Sequence, residues 1–292
     1  MIIIFITYGG LCNQFYDIQC GINFCIENNI KFTFAYCSFR NADLISWHNE
    51  KFEKLFDIRF LYKYKNLYVN FDRIRLNSNN TYNIEQKRAI EIFKPEQDIM
   101  SQLISFGTEY IIIKQFWPIY NFKSQKEDVY RYLRPSRRLI KLYRKIKKDI
   151  IKKNKYNFIH YRYEHDFINH FQLSIEPLEE LIKKIRPKFK NPELKIYIAA
   201  HNVHNLIRTD NNYFSNIIYK TGNELDDYNY EEKAFIDFMI GVNAVEIYGH
   251  HRSSFSRMLN SIKETNNYYS KKNIIKYIFV FISMLFLFIV IL

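Results

Sequence analysis

Residues that cross-link or interrupt a chain are scarce in this sequence: its 292 residues include 4 Cys, 7 Gly and 6 Pro. Four cysteines (Cys12, Cys20, Cys25 and Cys37) are too few for a disulfide scaffold. None stand in CxxC spacing, so zinc is not expected and reduced structural thiols are. The opening MIIIFITY lacks a basic n-region and a small-residue cleavage site before Gly9-Gly10. It reads as a buried first strand rather than a signal peptide. There is no internal repeat and no long linker. Acidic residues are in deficit, 30 against 43 basic ones, for a net charge of +13. What the chain has in plenty is grease: 48% hydrophobic and 18% aromatic residues exclude a disordered chain. The length suits one large or two modest α/β domains.

Ile, Lys, Asn, Phe and Tyr dominate, as A/T-rich codons would dictate, so the position of the charge matters more than its sum. The segment Arg137–Lys155 carries ten Lys/Arg against one Asp, most of the net charge. Leu139, Leu142, Tyr143, Ile146 and Ile150 recur within it at three- and four-residue spacing. That predicts an amphipathic helix over 137–155 whose apolar stripe covers a sheet and whose basic face meets solvent. Binding of anionic lipid or nucleic acid by that face is the alternative; no nucleic-acid motif accompanies it. At the other extreme, the 16 residues from Tyr277 to Leu292 carry no charge, roughly 24 Å of helix. With Ile274 and Ile275 extending it and Lys276 snorkelling, residues 274–292 are expected to be a single-pass C-terminal membrane anchor. Lys271, Lys272 and Lys276 stand on the body side of the uncharged stretch, which suits a cytosolic body.

Strand and helix patterns alternate along the body. Strands are expected at Ile2–Thr7, Lys31–Tyr36, Glu109–Lys114, Asn157–Tyr161, Leu194–Ala200, Asn216–Tyr219 and Ala244–Tyr248. Helices are expected at Cys12–Asn28, near Ile84–Phe93, and at Ile175–Arg186, Tyr230–Gly241 and Ser253–Lys263. The rest up to about Tyr110 reads as irregular, with Asn77–Asn83 a surface loop. Such alternation predicts parallel sheets with helices on both faces. A shift near Tyr132–Pro135 divides the body into lobes 1–135 and 136–268.

Three places could carry chemistry. In TYGGLCNQ, a strand runs through Gly9-Gly10 into a helix. Glycine admits close backbone approach, the helix N-terminus offers N–H groups to an anion, and Asn13 and Gln14 add side-chain donors. The loop lacks the full GxGxxG fingerprint and the P-loop Lys. In FIHYRYEHDF, a strand ends in His160, Arg162, Glu164, His165 and Asp166, at the carboxyl end where α/β proteins place ligands. His160 and Arg162 share one strand face. Arg162 can fork onto a phosphate, or else pair with Glu164 or Asp166. In GHHRSSFS, Gly249 follows a strand and Ser253-Ser254-Phe255 open a helix, a cap that also suits a phosphate, with Phe255 able to pack on a base or sugar.

Four segments taken in order resemble one family. GGLCNQ is similar to the GG-x-x-N-Q loop of the GDP-fucose protein O-fucosyltransferases and their relatives. KFEKLFDI (Lys51 to Ile58) resembles the family's FxxxFD segment, and HYRYEHDF resembles its H-x-R-x-x-x-D-(W/F) motif. DFMIGVNAVEIYGHHRSSFS, from Asp237, lies without a gap on the closing segment that ends S-S-F-(S/T). The resemblance covers nearly all of residues 1–265. It implies a GT-B-like fold, two Rossmann-like lobes facing a cleft, with the acceptor on the 1–135 side and a GDP-sugar on the 136–268 side. It implies an inverting, metal-independent transfer of a sugar, fucose first among them, to a protein Ser/Thr or glycan hydroxyl. The GDP-sugar is a co-substrate, and no cofactor is implied. Arg162 would hold the diphosphate and stabilise the leaving GDP. Ser253, Ser254 and Phe255 would contact phosphate and nucleotide, His160 and Asp166 would line the donor site, and Asn13, after Gly9 and Gly10, would reach the sugar and diphosphate. Asp226-Asp227 is the nearest thing to a metal-binding DxD pair and reads as solvated. The alternative is a degenerate membrane-surface protein that binds through the basic helix 137–155.

Overall fold

The computed structural model describes residues 1–263 except 42, 85–97, 117–127, 153, 208–213, 215 and 222–224. The expected anchor at 274–292 therefore lies outside the described residues. Among those described, no helix is long and apolar enough to cross a membrane. The chain forms two units, Met1–Lys153 with Lys220–Asp237, and Asn154–Tyr219 with Phe238–Leu292.

The first unit is built on a mixed sheet of β1 (Ile2–Thr7), β2 (Lys31–Arg40), β3 (Trp47–Lys51), β4 (Thr81–Ile84) and β5 (Tyr110–Lys114), in the order β3-β2-β1-β5-β4. β1 is a continuous β-branched and aromatic run, as befits a strand covered on both faces, and it pairs in parallel with β2 and β5. Helix α1 (Leu11–Asn28) follows it and is buried along most of its length. Gly21 brings that helix against the Phe5 ring, which a Cβ would meet at 3.0 Å. Asn29 ends it in the left-handed region at φ 52°.

Three local expectations fail here. β2 runs on to Arg40, and β3 returns antiparallel beside it. WHNEK lacks an alternating pattern; its turn creates the strand, because the Asp43 carboxylate accepts from Ile45 N, Ser46 N and Ser46 Oγ. Only Asn77–Asn80 of the expected Asn-rich loop is a turn, closed by Asn77 and Asn80 side chains, and Thr81–Ile84 is a strand. Ile84 ends that strand, and the rest of the helix expected near Ile84–Phe93 lies outside the described residues. A short helix α2 (Ile99–Ser105), capped by Asp98, was not anticipated.

The KFEKLFDI segment is core. Phe52 and Phe56 are fully buried and stack at 4.7 Å, and Phe34 stacks on Phe52 at 5.1 Å. Asp57 caps the following turn through Arg59 N. The basic helix α3 (Arg137–Ile146) buries Leu139, Leu142 and Ile146, as its pattern requires. It does not stay α-helical to Lys155. A π turn over Lys147–Ile151 carries the next apolar residue five positions on, so Ile151 is buried in place of Ile150. Lys152 then stops the helix at φ 58°. Arg138 leaves the basic face to donate to Asp227 O and stack on Tyr228.

Segment 220–237 brings two buried glutamates into this unit at the start of helix α6 (Tyr230–Val242). Glu232 and Asn229 form a reciprocal capping box. Glu231 takes two bonds from Arg40, backbone N–H at 2.8 Å and Nε at 3.0 Å. Arg40 itself lies 4.2 Å from the Tyr230 ring and 5.2 Å from that of Trp47.

The second unit has a parallel sheet, β8-β7-β6-β9, of β6 (Tyr156–His160), β7 (Lys195–Ala199), β8 (Ile217–Ile218) and β9 (Ile247–Gly249). Strict alternation sorts β6 and its extension. Ile159 and Tyr161 join a core with Leu178, Leu181, Ile182 and Ile185 of helix α5 (Leu178–Ile185). On the opposite face Phe158 lies near Gly241 of α6, where a Cβ would come within 3.1 Å of its ring and 2.8 Å of Leu259. Leu259 belongs to helix α7, residues 254–263.

Arg40→Met is expected to cost about 3–5 kcal/mol in urea unfolding, because it leaves the Glu231 carboxylate buried without its cation. Adding Glu231→Gln should recover most of that loss. Burial also holds the Glu231 and Glu232 carboxyls above their ordinary value of 4.5. Their contribution is therefore complete below pH 4.5 and lost as pH rises through the raised values. A pH series of urea midpoints should fall across that window more steeply in the wild type than in Glu231→Gln/Glu232→Gln.

Candidate functional site

The sequence-predicted residues fall into two groups, one in each unit. In the first, β1 ends at Thr7 and the chain turns through Gly9 at φ 87°, a conformation that favours glycine. A Cβ on Gly9 would meet Asn13 Nδ2 at 3.2 Å, and one on Gly10 would meet Arg40 Nη2 at 3.0 Å. Gly10 caps α1 with no side-chain bond, so the first turn of that helix depends on other acceptors. Asn13 is half-buried in that turn. Gln14 departs from expectation. It is fully buried, and its amide donates to Gly9 O at 2.9 Å and Ser38 O at 2.7 Å while accepting from Thr7 Oγ1. Its two donor bonds are spent on the loop and β2, and its oxygen on β1. Asp17 likewise holds the loop by accepting from Tyr8 N at 2.9 Å. Arg40 was missed, because its position at the loop comes from β2 running four residues past its expected end.

In the second unit, His160 ends β6 and pairs in register with Gly249 at the end of β9. Arg162 lies two residues beyond, past the end of the strand. Its Nε donates to Glu164 Oε2 at 2.9 Å, and its guanidinium lies 5.1 Å from the Phe167 ring. The pairing with Glu164 weighed from the sequence is thus present, and it orients the guanidinium beside an aromatic face. Glu164 also accepts from Tyr163 N. Asp166 falls in the first turn of helix α4 (His165–Phe171); the side chains of His165 and Asp166 lie outside the described ones.

Helix α7 begins beside β6. Ser253 N donates to His250 O, and among the described residues the buried Ser253 Oγ has no hydrogen-bond partner. A serine hydroxyl at a helix N-terminus stands beside backbone N–H groups that suit an anionic oxygen. Ser254 is half-exposed in the first turn. Phe255 is largely buried, 4.3 Å from the His160 ring and edge-on to Phe238 at 5.5 Å. Ser256 Oγ lies 2.9 Å from His160 Nδ1, a contact nothing in the linear pattern signalled. Nearby, burial and the adjacent His251 and Arg252 hold the His250 imidazole below its ordinary pKa. Among the described residues, no three His, Cys, Asp or Glu side chains stand as a metal-binding group.

The group is packed tightly enough to be tested by one methyl. A Cβ on Gly249 would overlap Ser256 Oγ, meet Ser256 Cβ at 2.9 Å and His160 Cβ at 3.2 Å. Gly249→Ala is expected to lower stability by about 1–3 kcal/mol, read as an earlier thermal unfolding midpoint.

No protein-family model matches the chain, and no curated protein does. Solved structures do. POFUT1 in complex with GDP is similar over 90% of this chain and 95% of its own, at 14% identity and a TM-score of 0.59. POFUT1 in complex with GDP-fucose is similar over 88% and 93%, at 14% identity and a TM-score of 0.58. The fucosyltransferase NodZ from Bradyrhizobium is similar over 89% and 92%, at 10% identity and a TM-score of 0.52. The chain is an α/β protein with the GT-B fold of the POFUT1 and NodZ fucosyltransferases.

Proposed function

We propose that the protein is an inverting, metal-independent glycosyltransferase that moves fucose from GDP-fucose to a protein Ser/Thr or glycan hydroxyl. The observation that carries this reading is the pairing of the parallel strands β6 and β9, after which come Arg162 and the α7 N-terminus respectively, in a fold shared with GDP-binding fucosyltransferases.

The chemistry follows from charge. Transfer of a sugar from a nucleoside diphosphate builds negative charge on the departing phosphate and positive charge on the sugar ring. Arg162 supplies a guanidinium suited to forking onto a phosphate, and Glu164 accepts from its Nε. The N–H groups of the first turn of α7 and the Ser253 hydroxyl add donors that need little reorganisation when that charge develops. His160 and Asp166 line the donor site. Gly9, Gly10 and Asn13 present backbone and amide donors from the first unit, which we assign to the acceptor side. Residues 274–292 form a C-terminal membrane anchor in this reading, with the body on the cytosolic side.

Isothermal titration with GDP tests the assignment. Binding at submillimolar concentration is expected. Arg162→Ala should lower turnover by about 10²–10³-fold, measured as fucose transfer across a panel of protein and glycan acceptors. Absence of binding by GDP and every GDP-sugar, or normal turnover by Arg162→Ala, defeats the proposal.

A further inference from the structure

We infer that Ser256 is a positioning residue that fixes the tautomer of His160, so that the imidazole carries its proton on Nε2. This deepens the donor-site reading above and rests on it for the consequence, though not for the geometry.

Three constraints meet on one ring. Nδ1 of His160 is 2.9 Å from Ser256 Oγ. Phe255 covers a ring face at 4.3 Å with 29° between the planes. Gly249, the register partner of His160, leaves room for the Ser256 side chain that a Cβ would take. The direction of the hydrogen bond follows from the buried hydroxyl. Ser256 is 1% exposed, and its hydroxyl has His160 as its one side-chain partner among the described residues. If Nδ1–H donated to Oγ, the hydroxyl proton would be left buried without an acceptor, the costlier arrangement. Oγ–H therefore donates, Nδ1 accepts, and the ring proton resides on Nε2. An N–H donor is the form suited to an oxygen-rich anionic ligand such as a nucleoside diphosphate. Ser256 lies one residue past Phe255 on the helix that carries Ser253 and Ser254, so a single helix would contact the ligand and set the histidine beside it.

Long-range ¹H–¹⁵N spectra of the histidine-labelled full chain at mildly alkaline pH test this, with His160→Gln to assign the ring. The wild type should show an unprotonated Nδ1 and a protonated Nε2. Ser256→Ala should give a mixture of tautomers and weaken GDP binding about three- to tenfold. Ser256→Thr, which keeps the hydroxyl, should restore the wild-type spectrum. A wild-type ring protonated at Nδ1 overturns the inference, as does a Ser256→Ala variant with unchanged tautomer and GDP affinity. A chain that binds no GDP refutes the donor-site reading instead, and the spectra still decide the role of Ser256.

Discussion

The second unit depends on a side chain that is missing. Gly249 ends β9 in register with His160, and its bare Cα admits Ser256 and the His160 Cβ into space that any larger residue would claim. That close approach lets α7 start against β6 instead of standing off from it. From it follow the stacking of Phe255 on His160, the bond from Ser256, and the burial of the Ser253 hydroxyl at the helix mouth. Parallel strands supply the rest. Adjacent strands that point the same way bring their carboxyl ends to one edge, and whatever follows each strand meets there.

The first unit meets a related problem by a different route. Its Gly9-Gly10 turn is held from below by Gln14 and Asp17, whose polar atoms are consumed by backbone groups of the loop and of β2. Burying those amides and carboxylates is tolerable only because each is bonded. The same holds for Arg40 and Glu231, a pair separated by 191 residues in sequence and joined by two hydrogen bonds. Such a pair does little for net stability against an apolar replacement, yet losing one partner is costly. It therefore fixes which segment completes the unit.

Much of the fold could be read from the chain. β1, α1, β5, β6, β7, α5 and α6 lie within a few residues of their expected places, because each has a long periodic or continuously apolar pattern. β3 and β4 could not be read, because WHNEK and TYNI carry little pattern of their own. They are strands because a turn and a neighbouring edge offer their backbones partners. The π turn after α3 was hidden for a similar reason: packing, not periodicity, decided which isoleucine is buried.

At the candidate site, the sequence by itself determined the local placement: His160 closing a strand with Arg162 two residues on, Ser253 to Phe255 opening a helix, and glycines at both turns. Those follow from local rules of period and conformation that act over a few residues. Only the tertiary structure decided what each side chain is spent on. Gln14 went to the loop, Phe52 and Phe56 went to the core, Arg40 found Glu231, and Ser256 found His160. A hydrogen bond reports the distance between two atoms, and residues 96 or 191 apart have no local pattern through which to announce it.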